Sequence, residues 1–243
     1  AKRMQFEKAL EFFEEMLAAN IQPDSIVYSA IIDVFAKTGD LPGSERIYRE
    51  MREKRETQSL VAYNSMINAY AKARQIPQVL AVLTDIAEDN LKPNVVSHNI
   101  IVSAYARAGD VENALLSFDA MKSKGLEPNS FTYNSIIDAY GKAHDLEGAV
   151  EMFEEMSEEK VPVDIVTYNT LMSAANRVED FEQAVNIYDN LQASREVKAD
   201  RITYDLAQDA FQKLGDSTGA RKAARAKSRL RNRRGSRRMR NFH

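Results

Sequence analysis

The stretch "FTYNSIIDAYGKAHD", from Phe131 to Asp145, decides the fold because the chain repeats it. Related copies are "VAYNSMINAYAKA" from Val61, "VSHNIIVSAYARAGD" from Val96 and "VTYNTLMSAANRVED" from Val166. Each copy carries an asparagine at the same place, and successive ones are 35 residues apart: Asn64, Asn99, Asn134 and Asn169. A fixed spacing of this length indicates stacked structural repeats.

More distant copies begin at Ile26 and Ile202 and extend the array in both directions. We predict five complete repeats at 25–59, 60–94, 95–129, 130–164 and 165–200, the last with one residue inserted near Glu196. A half repeat precedes them at 1–24, and a degenerate repeat follows at 201–220. Residues 221–243 form a basic C-terminal tail.

Each repeat contains two amphipathic helical patterns. In the repeat that begins at Ser130, apolar residues fall at i, i+3, i+4 and i+7, a helical spacing: Tyr133, Ile136, Ile137 and Tyr140. After a break at "HDLEG" a second apolar stripe follows: Ala149, Val150, Phe153 and Met156. Proline and then Asp or Asn close most repeats, which stops one helix and caps the next. Because one helical hairpin cannot bury its apolar faces alone, the pattern predicts an all-α solenoid of stacked hairpins.

Composition narrows the possible functions. The 243 residues include no cysteine, which excludes disulfides and thiolate metal sites. The sequence has no glycine-rich phosphate loop, metal-ligand cluster or run of about 18 apolar residues. We therefore expect neither an enzyme nor a bound cofactor or metal, and no membrane partner. Residues 1–220 carry a net formal charge of −14, whereas residues 221–243 carry eleven Lys or Arg and no Asp or Glu.

The first helix of each repeat has a second face, opposite the apolar one. When positions are counted from the start of a repeat, positions 2, 5 and 13 lie close together on this face. Position 2 is apolar: Ile26, Val61, Val96, Phe131, Val166 and Ile202. Position 5 is mostly an amide: Ser29, Asn64, Asn99, Asn134, Asn169 and Asp205. Position 13 is always basic: Lys37, Lys72, Arg107, Lys142, Arg177 and Lys213.

This arrangement has the chemistry of a single-strand RNA surface. Amides can hydrogen-bond to base edges, apolar residues can pack on base faces, and Lys or Arg can contact phosphates. The polar residues are also compatible with two structural roles. The Asp or Asn that ends a repeat favours helix capping in any case, and the position 5 asparagines can hydrogen-bond between repeats.

The sequence resembles the pentatricopeptide repeat family, of the P type. The resemblance rests on "IVTYNTLMSAANR", "FTYNSIIDAYGKA", "AVEMFEEM", "GLEPN" and "NLKPN", and it covers residues 1–220. It implies a right-handed superhelix that binds single-stranded RNA with one base per repeat. In this family the fifth and last residues of a repeat select the base, the position 2 residues sandwich it and the position 13 residues touch the backbone.

Carried onto this chain, the resemblance gives five base-reading pairs: Ser29 with Ser59, Asn64 with Asn94, Asn99 with Asn129, Asn134 with Asp164, and Asn169 with Asp200. The family's usual reading is uracil for Asn with Asp and a pyrimidine for Asn with Asn. Ser with Ser has no assigned reading. The implied target is roughly N-Y-Y-U-U, read 5′ to 3′ along the repeats. Asp205 stands where a base-reading asparagine would be, so we expect the last repeat to read no base.

The resemblance also implies a role in organellar RNA stabilisation, processing, splicing or translation, in a chloroplast or mitochondrion. The alternative is a protein–protein scaffold within an RNA-containing organellar assembly, in which only the basic tail touches RNA. The net charge of −14 on residues 1–220 favours that alternative. In either case we expect the tail to clamp RNA without sequence preference or to anchor the chain in a larger ribonucleoprotein assembly.

Overall fold

The computed structural model describes residues 2–54, 59–194 and 196–240, with side chains described for 5–54, 59–194 and 196–230. Over these residues the chain forms thirteen α-helices and no β-strand. The helices are α1 (Lys2–Ala18), α2 (Ser25–Thr38), α3 (Leu41–Glu53), α4 (Leu60–Lys72), α5 (Ile76–Glu88), α6 (Val95–Ala108), α7 (Val111–Ser123), α8 (Ser130–Lys142), α9 (Leu146–Glu158), α10 (Ile165–Arg177), α11 (Phe181–Ala193), α12 (Arg201–Lys213) and α13 (Ser217–Arg240). None of the described helices combines the length and the apolar character that a membrane span requires.

The helix boundaries follow the repeats read from the sequence. The first helices α2, α4, α6, α8, α10 and α12 begin at residues 25, 60, 95, 130, 165 and 201, where we predicted the repeats to start. Each is followed by one further helix, so every repeat is a helical hairpin. This agreement follows from local chemistry, because caps and turn residues act within a few residues of the helix end that they define.

Side-chain caps begin most of the first helices. Asp24 accepts hydrogen bonds from the backbone N–H of Ile26 at 3.0 Å and of Val27 at 2.9 Å. Asn94, Asn129, Asp164 and Asp200 cap α6, α8, α10 and α12, in each case with a reciprocal bond to the third residue of the helix. Ser59 makes no such bond at α4. The capping role that the sequence left open is thus present.

A left-handed residue turns each first helix into the second one. The residue occupies position 15 of every repeat: Gly39, Arg74, Gly109, His144, Glu179 and Gly215, with φ between 56° and 83°. Glycine adopts this backbone region without strain, whereas the side chains of Arg74, His144 and Glu179 make it unfavourable. His144 is therefore a turn residue.

The helices pack into two compact units, residues 1–127 and 128–243. In the first unit, α2 lies beside α4 and α4 beside α6, while α3, α5 and α7 each pack against the first helix of their own repeat. In the second unit α8, α10 and α12 are neighbours in the same way, with α9, α11 and α13 packed against them. Apolar stripes from both helices of each repeat therefore face each other inside each unit.

The position 4 tyrosines lie in these cores, as their phase predicted. Tyr28, Tyr63 and Tyr133 are almost completely buried. Their hydroxyl groups reach acidic residues of the second helices, as between Tyr28 and Glu50 at 3.1 Å and between Tyr133 and Glu155 at 3.3 Å. A tyrosine at position 4 fills the core with its ring, while its hydroxyl forms a hydrogen bond at the edge of the core.

His98 replaces tyrosine at this position in α6 and is buried, so it is a core histidine. Neither ring nitrogen has a hydrogen-bond partner within the described residues. Burial, and then the charge of Lys124, lower the pKa of His98. The nearby Ser117 backbone opposes this shift without reaching hydrogen-bond geometry. His98 is therefore neutral at neutral pH.

The last helix, α13, continues without a break across residues 220 and 221, where we placed the start of the tail. Ala220 and Ala223 are both buried against the body of the second unit. Residues 231–240 extend the same helix and include six arginines. Residues 241–243 lie outside the described part of the chain.

Candidate nucleic-acid interface

The apolar residues at position 2 face solvent in every repeat. Their exposed fractions run from 51% to 74%: Ile26, Val61, Val96, Phe131, Val166 and Ile202. An apolar side chain left in water forgoes about 25 cal/mol for every Å² that it could bury. A single exposed residue of this kind is ordinary. Exposed apolar residues at the same position of six helices are what binding of flat apolar groups requires.

The predicted base-reading pair of the fifth repeat, Asn169 and Asp200, is joined by hydrogen bonds. The Asn169 amide nitrogen donates to Asp200 Oδ1 at 3.2 Å, and the Asn169 amide oxygen accepts from the Thr203 hydroxyl at 2.8 Å. Asp200 Oδ1 also accepts from the backbone N–H of Thr203 at 2.9 Å. Burial raises the pKa of Asp200, but these hydrogen bonds outweigh burial and hold its pKa below the usual range. Asp200 is thus a carboxylate at neutral pH.

The second repeat uses the same arrangement with a neutral last residue. The Asn64 amide oxygen accepts from the Ser97 hydroxyl at 2.7 Å. Asn94 Oδ1 accepts from the Ser97 backbone N–H at 3.1 Å, which caps α6. Ser97 thus takes the place of Thr203 and Asn94 that of Asp200. In both repeats a hydroxyl of the next repeat fixes which way the asparagine amide points.

The first pair, Ser29 with Ser59, lacks such a hydroxyl because Ala62 stands at position 3 of the next repeat. Ser29 Oγ lies 3.4 Å from Ser59 Oγ and donates to the Ser25 carbonyl at 2.6 Å. Ser29 is also buried. This pair presents less polar surface than the asparagine pairs do.

The remaining predicted residues occupy equivalent places in their own helices. Asn134 is half-buried in α8, and its amide oxygen has no partner within the described residues. Asp164 is exposed and caps α10 together with Thr167. Asn99 is buried in α6, and Asn129 is exposed at the start of α8. Both structural roles of these polar residues, capping and bonding between repeats, therefore coexist with their place on this face.

The position 13 residues are exposed in five of the six repeats, with Lys142 half-buried. Some are engaged by aspartate at position 9. Lys37 pairs with Asp33, and Asp138 contacts both Lys142 at 2.7 Å and Arg177 of the next repeat at 3.1 Å. Burial raises the pKa of Asp138, but Lys142 and Arg177 outweigh it and hold that pKa below its usual range. Asp138 thus aligns two cations along the second unit.

Two features of this face were missed in the sequence. The first is the buried hydroxyl at position 3: Ser97, Thr132, Thr167 and Thr203. Its signal was present, because Ser or Thr stands three residues after the Asn or Asp that ends the preceding repeat, the spacing of a reciprocal cap. The second is Lys227 of α13, which forms an ion pair with Asp205. Nothing in the local sequence links these two residues.

The described residues include no group of three or more His, Cys, Asp or Glu side chains placed to hold a metal ion. The face therefore offers amides, hydroxyls, carboxylates, apolar residues and cations, which are groups suited to binding and orienting a ligand.

Comparisons with known proteins agree with this architecture. Three family models match the chain: "Pentatricopeptide repeat-containing protein" over residues 80–191, "Pentatricopeptide repeat domain" over 11–73 and "PPR repeat" over 61–91. The comparison with curated protein sequences found no match.

Solved structures show the same fold. The pentatricopeptide repeat protein PPR10 from maize matches 91% of the chain at 24% identity, with a TM-score of 0.59. PPR10 in complex with an 18-nt psaJ RNA element matches 94% at 20% identity, with a TM-score of 0.66. The chain spans 36% and 32% of those two chains.

The PPR domain of Arabidopsis thaliana protein-only RNase P 1, in complex with tRNA, matches 77% of the chain and 98% of its own length, at 17% identity and a TM-score of 0.62. These matches and the helical hairpins described above agree with each other. The chain therefore belongs to the pentatricopeptide repeat family and has the all-α repeat solenoid fold of that family.

Proposed function

We propose that this chain binds single-stranded RNA through positions 2, 5 and 13 of its first helices, one base per repeat, as a non-catalytic module. The observation that carries the proposal is the repeated pairing of an exposed apolar residue with a polar residue that hydrogen bonds hold in place. Val166 and Ile202 flank the pair of Asn169 and Asp200 in this way. Two of the matched structures contain RNA, the PPR10 complex and the RNase P domain with tRNA, which supports the same partner here.

The chemistry of the fifth repeat favours uracil. Because the Asn169 oxygen accepts from Thr203 and one amide N–H donates to Asp200, the second N–H is the group left to donate to a base. Asp200 adds a negatively charged acceptor beside it. Uracil offers a carbonyl acceptor next to an N3–H donor, and cytosine lacks that donor. Asn134 with Asp164 repeats this pair of residue types, so we place uracil at both positions of a target close to N-Y-Y-U-U.

The wider role that we propose is RNA stabilisation, processing, splicing or translation in a chloroplast or mitochondrion, as the family resemblance implies. The arginines of α13 would add contacts to the RNA backbone without sequence preference. Binding through the tail alone, with the repeats acting as a protein scaffold, is the competing outcome of the test below.

The test is equilibrium binding of the full chain to five-nucleotide RNAs, one with the pyrimidine core and one composed of purines. The full chain is needed because removing α13 after Gly219 would expose the core around Ala223. A variant with the six arginines of residues 231–240 changed to Gln separates the tail from the repeats. We expect this variant to keep the pyrimidine preference and to lose affinity on both RNAs.

Two sets of substitutions test the face itself. The double change Asn134→Thr and Asn169→Thr should move the preference from U toward G, as the family pattern implies. Val96→Ser with Val166→Ser should weaken binding about tenfold if bases pack on these residues. The matched control, Leu80→Ser with Leu116→Ser, removes equally exposed apolar residues from α5 and α7. Binding that does not depend on base identity would favour the scaffold alternative. So would binding that the two pairs of serine substitutions weaken equally.

A further inference from the structure

The last repeat differs from the others on the face that would meet a following repeat. Position 8 holds a completely buried apolar residue in the five complete repeats: Ile32, Ile67, Val102, Ile137 and Met172. Position 27 is equally buried: Met51, Ile86, Met121, Met156 and Leu191. In the last repeat these positions carry Gln208 and Lys227. A polar outer face is what the end of a repeat stack requires.

Position 24 also differs in the last repeat, where a small residue replaces a large one. Tyr48, Phe153 and Tyr188 each pack against the position 4 tyrosine of the following repeat, with ring centroids 5.8, 6.0 and 6.3 Å apart. The last repeat has Ala224 instead. The space that a large side chain fills elsewhere is therefore open between α12 and α13.

This space is a cavity of about 620 Å³. Its lining includes Asp200, Arg201, Gln208, Ala224, Lys227 and Ser228. The volume lies within the range of roughly 300 to 1,000 Å³ that is usual for small-ligand sites. Because Asp200 also belongs to the base-reading pair of the fifth repeat, the cavity begins where that pair ends.

Two cations at the cavity share a carboxylate and can contact a phosphate. Lys227 and Arg201 both approach Asp205, with Arg201 Nε 3.7 Å from Asp205 Oδ2, so two cations share one carboxylate. The sequence after residue 230 contains six arginines and no acidic residue. Gln208 and Ser228 add neutral hydrogen-bonding groups that suit a base edge. An apolar helix from another repeat would bury the polar side chain of Gln208 and the charge of Lys227, which costs free energy.

We propose that the cavity between α12 and α13 binds the nucleotide that directly follows, on the same RNA strand, the one contacted by Asn169 and Asp200. In this state Lys227 exchanges Asp205 for the phosphate of that nucleotide, and Arg201 remains with Asp205. The inference rests on the RNA binding proposed above. It gives the chain a sixth nucleotide contact that does not use a position 5 amide.

The test compares the five-nucleotide core RNA with the same RNA extended by one nucleotide at either end. We expect the 3′ extension to tighten binding to the full chain about tenfold, the size of one charge-assisted contact. The 5′ extension should add much less. Ala224→Phe fills the cavity with the residue type that α7 and α9 carry there, and should abolish the 3′ gain while leaving core affinity unchanged.

Lys227→Met provides a second variant, since methionine stands at this position in α3, α7 and α9. It should lose most of the 3′ gain. Lys222→Met removes the same charge from an exposed site on α13 outside the cavity lining and should keep the gain. A core RNA that binds with no 3′ gain, or a gain that both cavity variants retain, overturns the cavity assignment alone. A core RNA that does not bind overturns the proposed function as well.

Discussion

Asn64 in α4 and Asn169 in α10 occupy the same position of their repeats, yet they are held in different electrostatic surroundings. Each amide oxygen accepts from a buried hydroxyl of the next repeat, Ser97 at 2.7 Å and Thr203 at 2.8 Å. The last residue of the repeat differs, since Asn94 is neutral and Asp200 is a carboxylate. The hydroxyl therefore sets the direction of the amide, and the last residue sets the charge beside it.

This difference separates two roles, positioning the amide and contacting the base. In the proposed RNA complex the hydroxyl is a positioning group, because it is buried and would reach a base only through the asparagine. The last residue is both a helix cap and a hydrogen-bonding group beside the amide. Ser29 with Ser59 shows what remains when the hydroxyl is absent: two short side chains 3.4 Å apart.

Exchanging the residue types of Asn94 and Asp200, the last residues of the two repeats, should have the largest effect on base preference. Asp200→Asn removes the charged acceptor, and we expect the preference for uracil over cytosine at that base to fall about tenfold or more, since hydrogen bonds to charged groups contribute roughly 1.5–3 kcal/mol. Asn94→Asp should create the same preference at its own base. Stability should change little, because Asn and Asp are similar caps. Competition binding with single-base variants measures both.

The matched control for this exchange is Asp180→Asn, which alters the cap of α11 away from the position 5 residues. It should leave base preference unchanged. If the preference for uracil survives Asp200→Asn, the carboxylate acts only as a helix cap. The second and fifth repeats would then not differ in base recognition through their last residues.

Removing the hydroxyl of Thr203 should have the next largest effect on RNA binding. Thr203→Val leaves the Asn169 oxygen without its donor, so we expect a loss of about 1–2 kcal/mol in the free energy of unfolding and about fivefold weaker, less selective binding. Thr203→Ser keeps the hydroxyl and should restore both. Chemical denaturation and RNA titration report the two quantities separately. Reduced stability with unchanged base preference would assign the hydroxyl to capping only.

Acid should weaken the third repeat, in which His98 follows Ser97 in α6, before it weakens the fifth. The pKa of His98 is lowered by burial, so the unfolded chain binds the proton first and stability falls as the pH drops below about 6.5, the ordinary histidine value, toward the folded pKa. Above 6.5 this contribution is fully present. His98→Phe should flatten the dependence between pH 6.5 and 5, measured by urea denaturation. An unchanged slope would locate the acid sensitivity elsewhere.

The smallest effect should come from the turns that follow the two asparagine helices. Arg74 and Glu179 both have left-handed backbones, with φ of 56° and 61°. Arg74→Gly and Glu179→Gly should each raise the free energy of unfolding by about 0.5–1 kcal/mol, because glycine adopts this region without strain. Equal gains in thermal denaturation would show that the turns of the two hairpins are equivalent in free energy. The same change at exposed Ala81, inside α5, should destabilise the chain instead.

Local sequence determined the repeats, the helix boundaries and the caps. The 35-residue spacing, the apolar stripes and the Asp or Asn after each proline act within one turn or one hairpin, so their meaning does not depend on distant residues. For the same reason the core positions of Tyr63 and Tyr133 and the burial of His98 could be predicted from helical phase.

Only the tertiary structure decided how the asparagines are oriented and how the stack ends. Asn64 and Ser97 are 33 residues apart, Asn169 and Thr203 are 34 apart, and Lys227 meets Asp205 across 22 residues. These contacts form because neighbouring helices pack at a particular distance and rotation, which the period of a sequence pattern does not specify. The cavity beside Ala224 has the same origin, since an alanine leaves a space only where the packed neighbours leave it unfilled.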